Sequence, residues 1–189
     1  MTDKRRNRNG FIPRHGGYKS LLSYQKAVVI YDATVRFCER FFDARDRTRE
    51  QMIQAARSGK QNIIEGSMAS GTSKETEIML TGVARASLEE LLEDYRDFLR
   101  SRRLEEWTVE HPYAQRLRVL VRTPGADYET YRRAVEHPEP DICANAIIGL
   151  IRVASVLLDH QIRSLEKAFV EGGGLRERMA RARRGRAGR

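Results

Sequence analysis

The feature that most constrains the fold is a long apolar stripe at helical spacing near the start of the chain. Its members recur at alternating intervals of three and four residues, so they lie on one side of an α-helix of roughly twenty residues. The stripe consists of Leu21, Tyr24, Val28, Tyr31, Val35, Cys38 and Phe42. Two more segments repeat this spacing, while the alternating β-branched runs typical of strands are few. We therefore expect an all-α fold.

A second helix is predicted to begin near Asp46 and a third near Thr72, where Thr72 and Glu75 have the spacing of a capping box. The second helix should bury Met52, Ala56, Gly59, Ile63 and Gly66. Its small residues would allow a neighbouring helix to approach closely. The third helix should bury Thr81, Ala84, Leu88, Leu91, Tyr95 and Phe98.

The segment 104–140 differs, because turn signals frame two shorter helical candidates at 113–122 and 127–136. A last long helix should begin near Pro140 and end before Gly172. Its middle, 142–158, is apolar nearly all round, which indicates a second contact surface that another subunit would supply most simply. The predicted fold is an antiparallel up-and-down four-helix bundle with a helical insertion between helices 3 and 4 and basic flexible tails.

The net charge of +9 is concentrated at the two ends of the 189-residue chain. Residues 1–19 hold six Lys or Arg and one Asp, and residues 175–189 hold seven Arg and one Glu. Segments this basic and this poor in large apolar residues are expected to stay disordered until they meet a partner. The predicted organisation is a basic N-terminal arm at 1–19, a bundle domain at 20–174 that includes the 104–140 insertion, and an Arg-rich C-terminal tail at 175–189.

The basic tails predict binding to a polyanion. Arginine pairs with phosphate in bidentate geometry and releases condensed counterions, which gives salt-sensitive, sequence-indifferent affinity for RNA or DNA. The alternatives are a solubilising tail and a tail that docks on an acidic protein surface. The predicted nucleic-acid-binding residues are Arg5, Arg6, Arg8, Arg176, Arg178, Arg181, Arg183, Arg184 and Arg186.

The glycine-containing stretch 57–77 invites comparison with a phosphate loop. Gly59 is followed at once by Lys60, and no lysine follows Gly66, so the Walker spacing is absent. The simpler interpretation is a corner between helices 2 and 3, with Asn62 and Glu65 hydrogen-bonded to it. The corner is assigned to Gly66, Ser67, Ser70 and Gly71.

Two motifs in this region resemble a known family. "NIIEGS" at 62–67 and "ARASLEELLEDYRDFL" at 84–99 are similar to the four-helix-bundle proteins named for reading frames in intervening sequences of bacterial 23S ribosomal RNA genes. Relatives in that family include the accessory protein of diversity-generating retroelements. The matching positions are Ser58, Asn62, Ile63, Glu65, Gly66, Ala84, Arg85, Ser87, Glu90 and Leu91.

The resemblance covers residues 20–103 and extends to the final helix only by pattern. It implies structural roles for Ser58, Asn62, Glu65, Gly66, Arg85, Ser87 and Glu90. It also implies a homo-oligomeric ring, often a pentamer, and partnership with nucleic acid or a reverse transcriptase. The chain departs from the family at Gly59 and Lys60, where Ile-Pro is common, in the longer 104–140 segment, and in the added arginine tail.

The polar residues do not form a recognisable catalytic or metal-binding pattern. The four histidines, His15, His111, His137 and His160, lack metal-ligand spacing. Ser87 has neither a nucleophile elbow nor an identifiable base. The acidic residues Glu89, Glu90, Glu93 and Asp94 are expected to form a solvated or ion-paired face. We expect a non-enzymatic protein without metal or cofactor, which acts as a nucleic-acid binder or, alternatively, as an interaction scaffold or accessory subunit.

The cysteines and the hydropathy bear on the compartment. Cys38 and Cys143 lie far apart inside apolar helical patterns, so we do not expect a disulfide between them. We expect the protein to be located in a reducing cytoplasm. Arg152 interrupts the most apolar run, so no membrane-spanning segment is expected.

Overall fold

The computed structural model describes residues 15–123 and 125–187, and this part of the chain is all-helical, without a strand. A short 3-10 helix at Tyr18–Ser20 precedes the first long helix. The α-helices are α1 (Leu22–Phe41), α2 (Arg47–Ala69), α3 (Lys74–Ser101), α4 (Pro112–Val121), α5 (Tyr128–Val135), α6 (Pro140–Gly172) and α7 (Leu175–Ala187). The predicted all-α class, the three long helices after residue 45 and the two short insertion helices are confirmed.

The four long helices contact one another in a closed cycle. Helices α1 and α3 each pack against both α2 and α6. Neighbours run in opposite directions. In α1, for example, Ser23 near the start bonds Gln161 of α6, whereas Arg40 near the end donates to the carbonyl of His137, just before α6 begins.

The predicted inner stripes of α2 and α3 are buried. Small residues bring the two helices together. A Cβ atom placed on Gly59 would lie 2.8 Å from Cδ2 of Leu88, and one placed on Gly66 would lie 3.3 Å from the carbonyl oxygen of Glu77. The predicted role of Gly59 as a packing glycine is therefore confirmed.

The register of α1 differs from the prediction. Apart from Cys38, the predicted stripe is only half-buried. Tyr31 lies at the edge of the core, with the ammonium of Lys60 3.7 Å from the centre of its ring. The shift follows from side-chain size, because the small residues Ala27 and Ala33 allow the closer helix approach. The buried face consists of Ser23, Lys26, Ala27, Val29, Ile30, Ala33, Thr34, Phe37 and Cys38.

The start of α3 also differs from the prediction. Ser73, not Thr72, is the N-cap, because its backbone is extended and its hydroxyl accepts a 3.1 Å hydrogen bond from the N–H of Thr76. The Thr72 hydroxyl instead donates to the carbonyl of Ala69. The predicted capping box of Thr72 and Glu75 is therefore wrong.

The corner between α2 and α3 is shorter than predicted. Gly66 and Ser67 lie inside α2, which continues to Ala69, so only Ser70 and Gly71 of the predicted corner lie beyond the helix. Asn62 donates to the carbonyl and hydroxyl of Ser58, one turn earlier, instead of to the corner.

The insertion covers the apolar helix α6. Both α4 and α5 pack on α6 in addition to α1 and α3. Asn145, 3% exposed, fixes the segment before α4 by accepting from the N–H of Trp107 and donating to the carbonyl of Glu105. The chain's own insertion thus covers part of the apolar surface of α6, while Val156 stays 54% exposed, and the contact with a second subunit stays a prediction.

The stretch Pro140–Glu177, which contains α6, is long and apolar enough to cross a membrane by length and composition alone, in spite of Arg152. Its 18-residue apolar window is 56% buried within the fold. The core helix of a folded protein has the same length and composition, so the absence of a membrane-spanning segment stays a prediction.

The C-terminal tail contains a helix, α7, where flexibility was predicted. Gly173, with a φ of 67°, ends α6, and α7 begins two residues later. Ala and Arg are both good helix formers, so their helix propensity favours α7 although the segment is highly charged. Residues 1–14 lie outside the described part of the chain.

Candidate nucleic-acid interface

Helix α7 places a dense group of arginines beside the end of the folded body. Its first turn is fixed next to the fold, because Gly174 is buried and lies against Phe169 and the carboxylate of Glu75. The guanidinium of Arg181 donates to the carbonyl of Gly172 at the end of α6. The arginines are therefore presented from a defined position.

The described arginines of α7 lie on one side of the helix. At 100° per residue, Arg176, Arg181, Arg183 and Arg184 fall within an arc of about 160° around the axis. A helix face this basic is suited to solvent or to a polyanion and not to a packed core. The side chains of Arg176, Arg181, Arg183 and Arg184 are exposed, and no described carboxylate pairs with them.

Some predicted contact residues cannot be placed. Arg5, Arg6 and Arg8 lie outside the described residues. The side chains of Arg178 and Arg186 are likewise outside the description, although both residues belong to α7. Four of the nine predicted nucleic-acid-binding side chains are thus located, and all four are on one helix.

The insertion adds basic and aromatic groups that the sequence prediction missed. The rings of Trp107 and His111 stack with their centres 4.7 Å apart and 6° between their planes. Tyr113 is 43% exposed, and the guanidinium of Arg116 lies 5.7 Å from its ring centre. An exposed tyrosine ring beside a guanidinium group suits stacking of a base and pairing with a phosphate. The signal was present in "WTVEHPYAQRLRVLVR", where two aromatic residues are followed by three arginines.

Three of the motif residues that carry the family resemblance, Ser58, Ser87 and Arg85, form contacts between helices. Ser58 of α2 and Ser87 of α3 share a 2.9 Å hydrogen bond between their hydroxyls. Arg85 of α3 forms a 2.6 Å ion pair with Asp159 of α6. Glu65 and Glu90 are exposed and have no hydrogen bond or ion pair with a described residue. These contacts are structural, and none of them assembles a catalytic group.

The acidic face of α3 behaves as a solvated surface. Glu93 pairs with Arg96 at 2.5 Å, whereas Glu90 and Asp94 line an open groove between α2 and α3 that also includes Glu50. Burial, aided by Asp97 and Glu90, raises the pKa of the Asp94 carboxyl. Within residues 15–123 and 125–187, no three His, Cys, Asp or Glu side chains are grouped to hold a metal ion.

Comparisons with family models, with curated proteins and with solved structures give no match for this chain. The resemblance to the 23S ribosomal RNA intervening-sequence family therefore stays a prediction that rests on its two motifs.

Proposed function

We propose that this protein is a non-enzymatic nucleic-acid-binding protein that holds RNA or DNA through the arginines of α7. The observation that carries the proposal is the set of exposed guanidinium groups on one side of an anchored helix, with no described carboxylate paired to them. Because the four side chains lie within one arc, they can contact neighbouring phosphates of one nucleic-acid backbone at once. The aromatic and basic surface at Trp107, Tyr113 and Arg116 supports the same proposal, since it offers stacking beside charge.

The proposal extends to the architecture. The closed cycle of α1, α2, α3 and α6, with neighbours antiparallel, supports an up-and-down four-helix bundle. By its resemblance to the intervening-sequence family, the bundle would assemble into a homo-oligomeric ring, with five subunits as the leading expectation. Several α7 helices on one ring would act together, because linked copies raise the effective concentration of arginines. The reduced, buried cysteines support a cytoplasmic location.

The test compares two variants that lose the same number of positive charges, one from α7 and one from elsewhere in the chain. One variant carries Gln at Arg176, Arg181, Arg183 and Arg184. The control variant carries Gln at four arginines elsewhere that have no ion pair with a described residue: Arg45, Arg47, Arg57 and Arg103. We expect the first variant to bind a structured RNA at least tenfold more weakly and the control to change little, because contact geometry decides the loss. If both variants bound the RNA equally weakly, the loss of affinity would come from net charge alone, and this would contradict the proposal.

A second candidate function is an interaction scaffold or accessory subunit, for example of a reverse transcriptase. It is favoured by the exposed apolar side chains of Met79 and Val83, one turn apart on α3, which are 60% and 42% exposed. Such a pair suits a protein contact. Substitution of both by Glu, with RNA binding and the mass of the assembly measured in solution, shows what the pair contacts. A smaller assembly would make it a contact between subunits, whereas an unchanged assembly with RNA binding retained would leave it for a partner protein, as the second candidate requires.

A further inference from the structure

A cleft of about 600 Å³ lies where α1, α4 and α6 meet. Three cationic side chains line it, namely Lys26, Arg118 and Arg122, and no carboxylate does. Its walls also include the apolar side chains of Leu22 and Leu157. We call this site the Lys26 cleft. Its lining contains no residue of α7.

Lys26 is a buried cation without a counterion. Its side chain belongs to a residue only 5% exposed, and its ammonium donates a 2.5 Å hydrogen bond to the hydroxyl of Tyr131. That hydroxyl donates in turn to the carbonyl of Leu120, so the partner is neutral. No carboxylate of a described residue lies within ion-pair distance of Lys26. An ammonium in this state has donors to spare, and a bound anion would compensate its burial.

Arg118 and Arg122 lie one helical turn apart at the end of α4 and are exposed. Neither forms an ion pair with the part of the chain that the structure describes. The carboxylate of Asp127, which follows the lining residue Ala126, accepts hydrogen bonds from the N–H and the hydroxyl of Thr130, at 3.2 and 3.1 Å. It forms no ion pair with a cation of the cleft. The three cations are therefore not ion-paired with any described carboxylate, and the ammonium of Lys26 has only the hydroxyl and the ring of Tyr131, 4.8 Å from the ring centre, as its neutral partner.

The charges and walls together define the ligand. Three cations exceed what a single carboxylate would balance, whereas a phosphate monoester carries close to two negative charges and accepts bidentate hydrogen bonds from arginine. The apolar walls leave room for an organic group beside the phosphate. We propose that the Lys26 cleft binds the phosphate group of an organic phosphate monoester.

The test uses calorimetry on the full chain with phenyl phosphate as the probe. The cleft variants are Lys26→Met and the double variant Arg118→Gln with Arg122→Gln, whose positions are exposed and do not endanger folding. The control is Arg45→Gln with Arg57→Gln, two exposed arginines without an ion pair to a described residue, which removes the same charge away from the cleft lining. Inorganic phosphate and benzoate serve as reference anions.

We expect phenyl phosphate to bind with one site per chain, more tightly than inorganic phosphate, which lacks the apolar group, and than benzoate, which carries less charge. Both cleft variants should weaken its binding at least tenfold, with the control unchanged. Absence of saturable binding, or equal affinity of the cleft and control variants, would overturn the proposal.

The same chemistry can come from a free metabolite or from the 5′ end of a nucleic acid. A short RNA with a 5′-phosphate is therefore compared with an RNA of the same sequence that has a 5′-hydroxyl. A preference for the phosphorylated RNA that disappears with Arg118→Gln and Arg122→Gln would assign the nucleic-acid end, and equal binding of the two RNAs, with phenyl phosphate still bound, would assign a free ester.

Discussion

Ser58 and Ser87 join α2 to α3 by a hydrogen bond of 2.9 Å, although 29 residues separate them in the chain. Ser58 also accepts from the side-chain amide of Asn62, and Ser87 donates to the carbonyl of Val83. The three polar side chains thus form one chain of donors and acceptors at the closest helix contact. This arrangement explains why the two motifs, which lie on different helices, act as one structural unit.

The first prediction concerns this pair. Ser58→Ala and Ser87→Ala should each destabilise the fold by about 1 kcal/mol, because each leaves a partly buried hydroxyl without its partner. The double variant should lose less than the sum, with a coupling of about 0.5–1.5 kcal/mol. Urea unfolding of the four proteins in the cycle measures this, and strict additivity would show that the two serines do not interact.

The second prediction contrasts two helical glycines. Gly59→Ala should destabilise by about 1–2 kcal/mol, because the new methyl group would lie 2.8 Å from Cδ2 and 3.0 Å from Cγ of the fully buried Leu88. Gly82 has no atom within 4 Å of the same position, so Gly82→Ala should stabilise α3 by about 0.5–1 kcal/mol. Thermal unfolding of both variants checks this, and a shift of the same sign in both would refute the proposed close approach.

The third prediction concerns the thiols. Burial raises the pKa of Cys38 and of Cys143 to about 12, and neither residue is exposed. Because the thiolate is the reactive form, an aromatic disulfide reagent at about pH 8 should modify the folded protein very slowly. Denaturant should release both thiols to the reagent within minutes. Fast modification without denaturant would mean that these helices open readily.

The fourth prediction concerns pH. Burial lowers the pKa of Lys26 below its ordinary value of 10.5. Between the lowered value and 10.5 the unfolded chain binds more protons than the folded chain, so the contribution of Lys26 to stability improves as pH rises. Lys26→Met should be between neutral and about 2 kcal/mol more stable than the natural protein near pH 7.

Its advantage should shrink as the pH rises from the lowered pKa of Lys26 towards 10.5, because the folded chain then releases this proton before the unfolded chain does. Urea unfolding of the two proteins at several pH values gives this difference directly. Parallel stability curves across the whole range would show that Lys26 carries no burial penalty.

The helical fold could be predicted because the spacing of apolar residues and the residues that cap a helix are signals between neighbours in the sequence. The stripes of α2 and α3 were identified correctly, since each has one apolar face. The register of α1 was not, because Tyr24 and Tyr31 lie on one face and Ile30 and Phe37 on another, and only the packing of small alanines against neighbouring helices decides between them.

The candidate sites could be predicted only where residues are consecutive. The arginines of α7 are visible in the sequence as a run, although their helical order was not expected. The Lys26 cleft could not be anticipated, because Lys26, Arg118 and Tyr131 come together only when the insertion folds over α6. A cation without a counterion is a property of that assembled packing and has no local signal.

The central claim is that α7 binds nucleic acid by pairing arginine with phosphate, and salt dependence tests it most directly. The affinity of the full chain for a structured RNA is measured across roughly 50–300 mM salt, beside the variant with Gln at Arg176, Arg181, Arg183 and Arg184. If each of the four arginines releases about one counterion, the logarithmic slope should be at least about three units shallower in the variant. Equal slopes, or no binding by the full chain at the lowest salt, would contradict the claim.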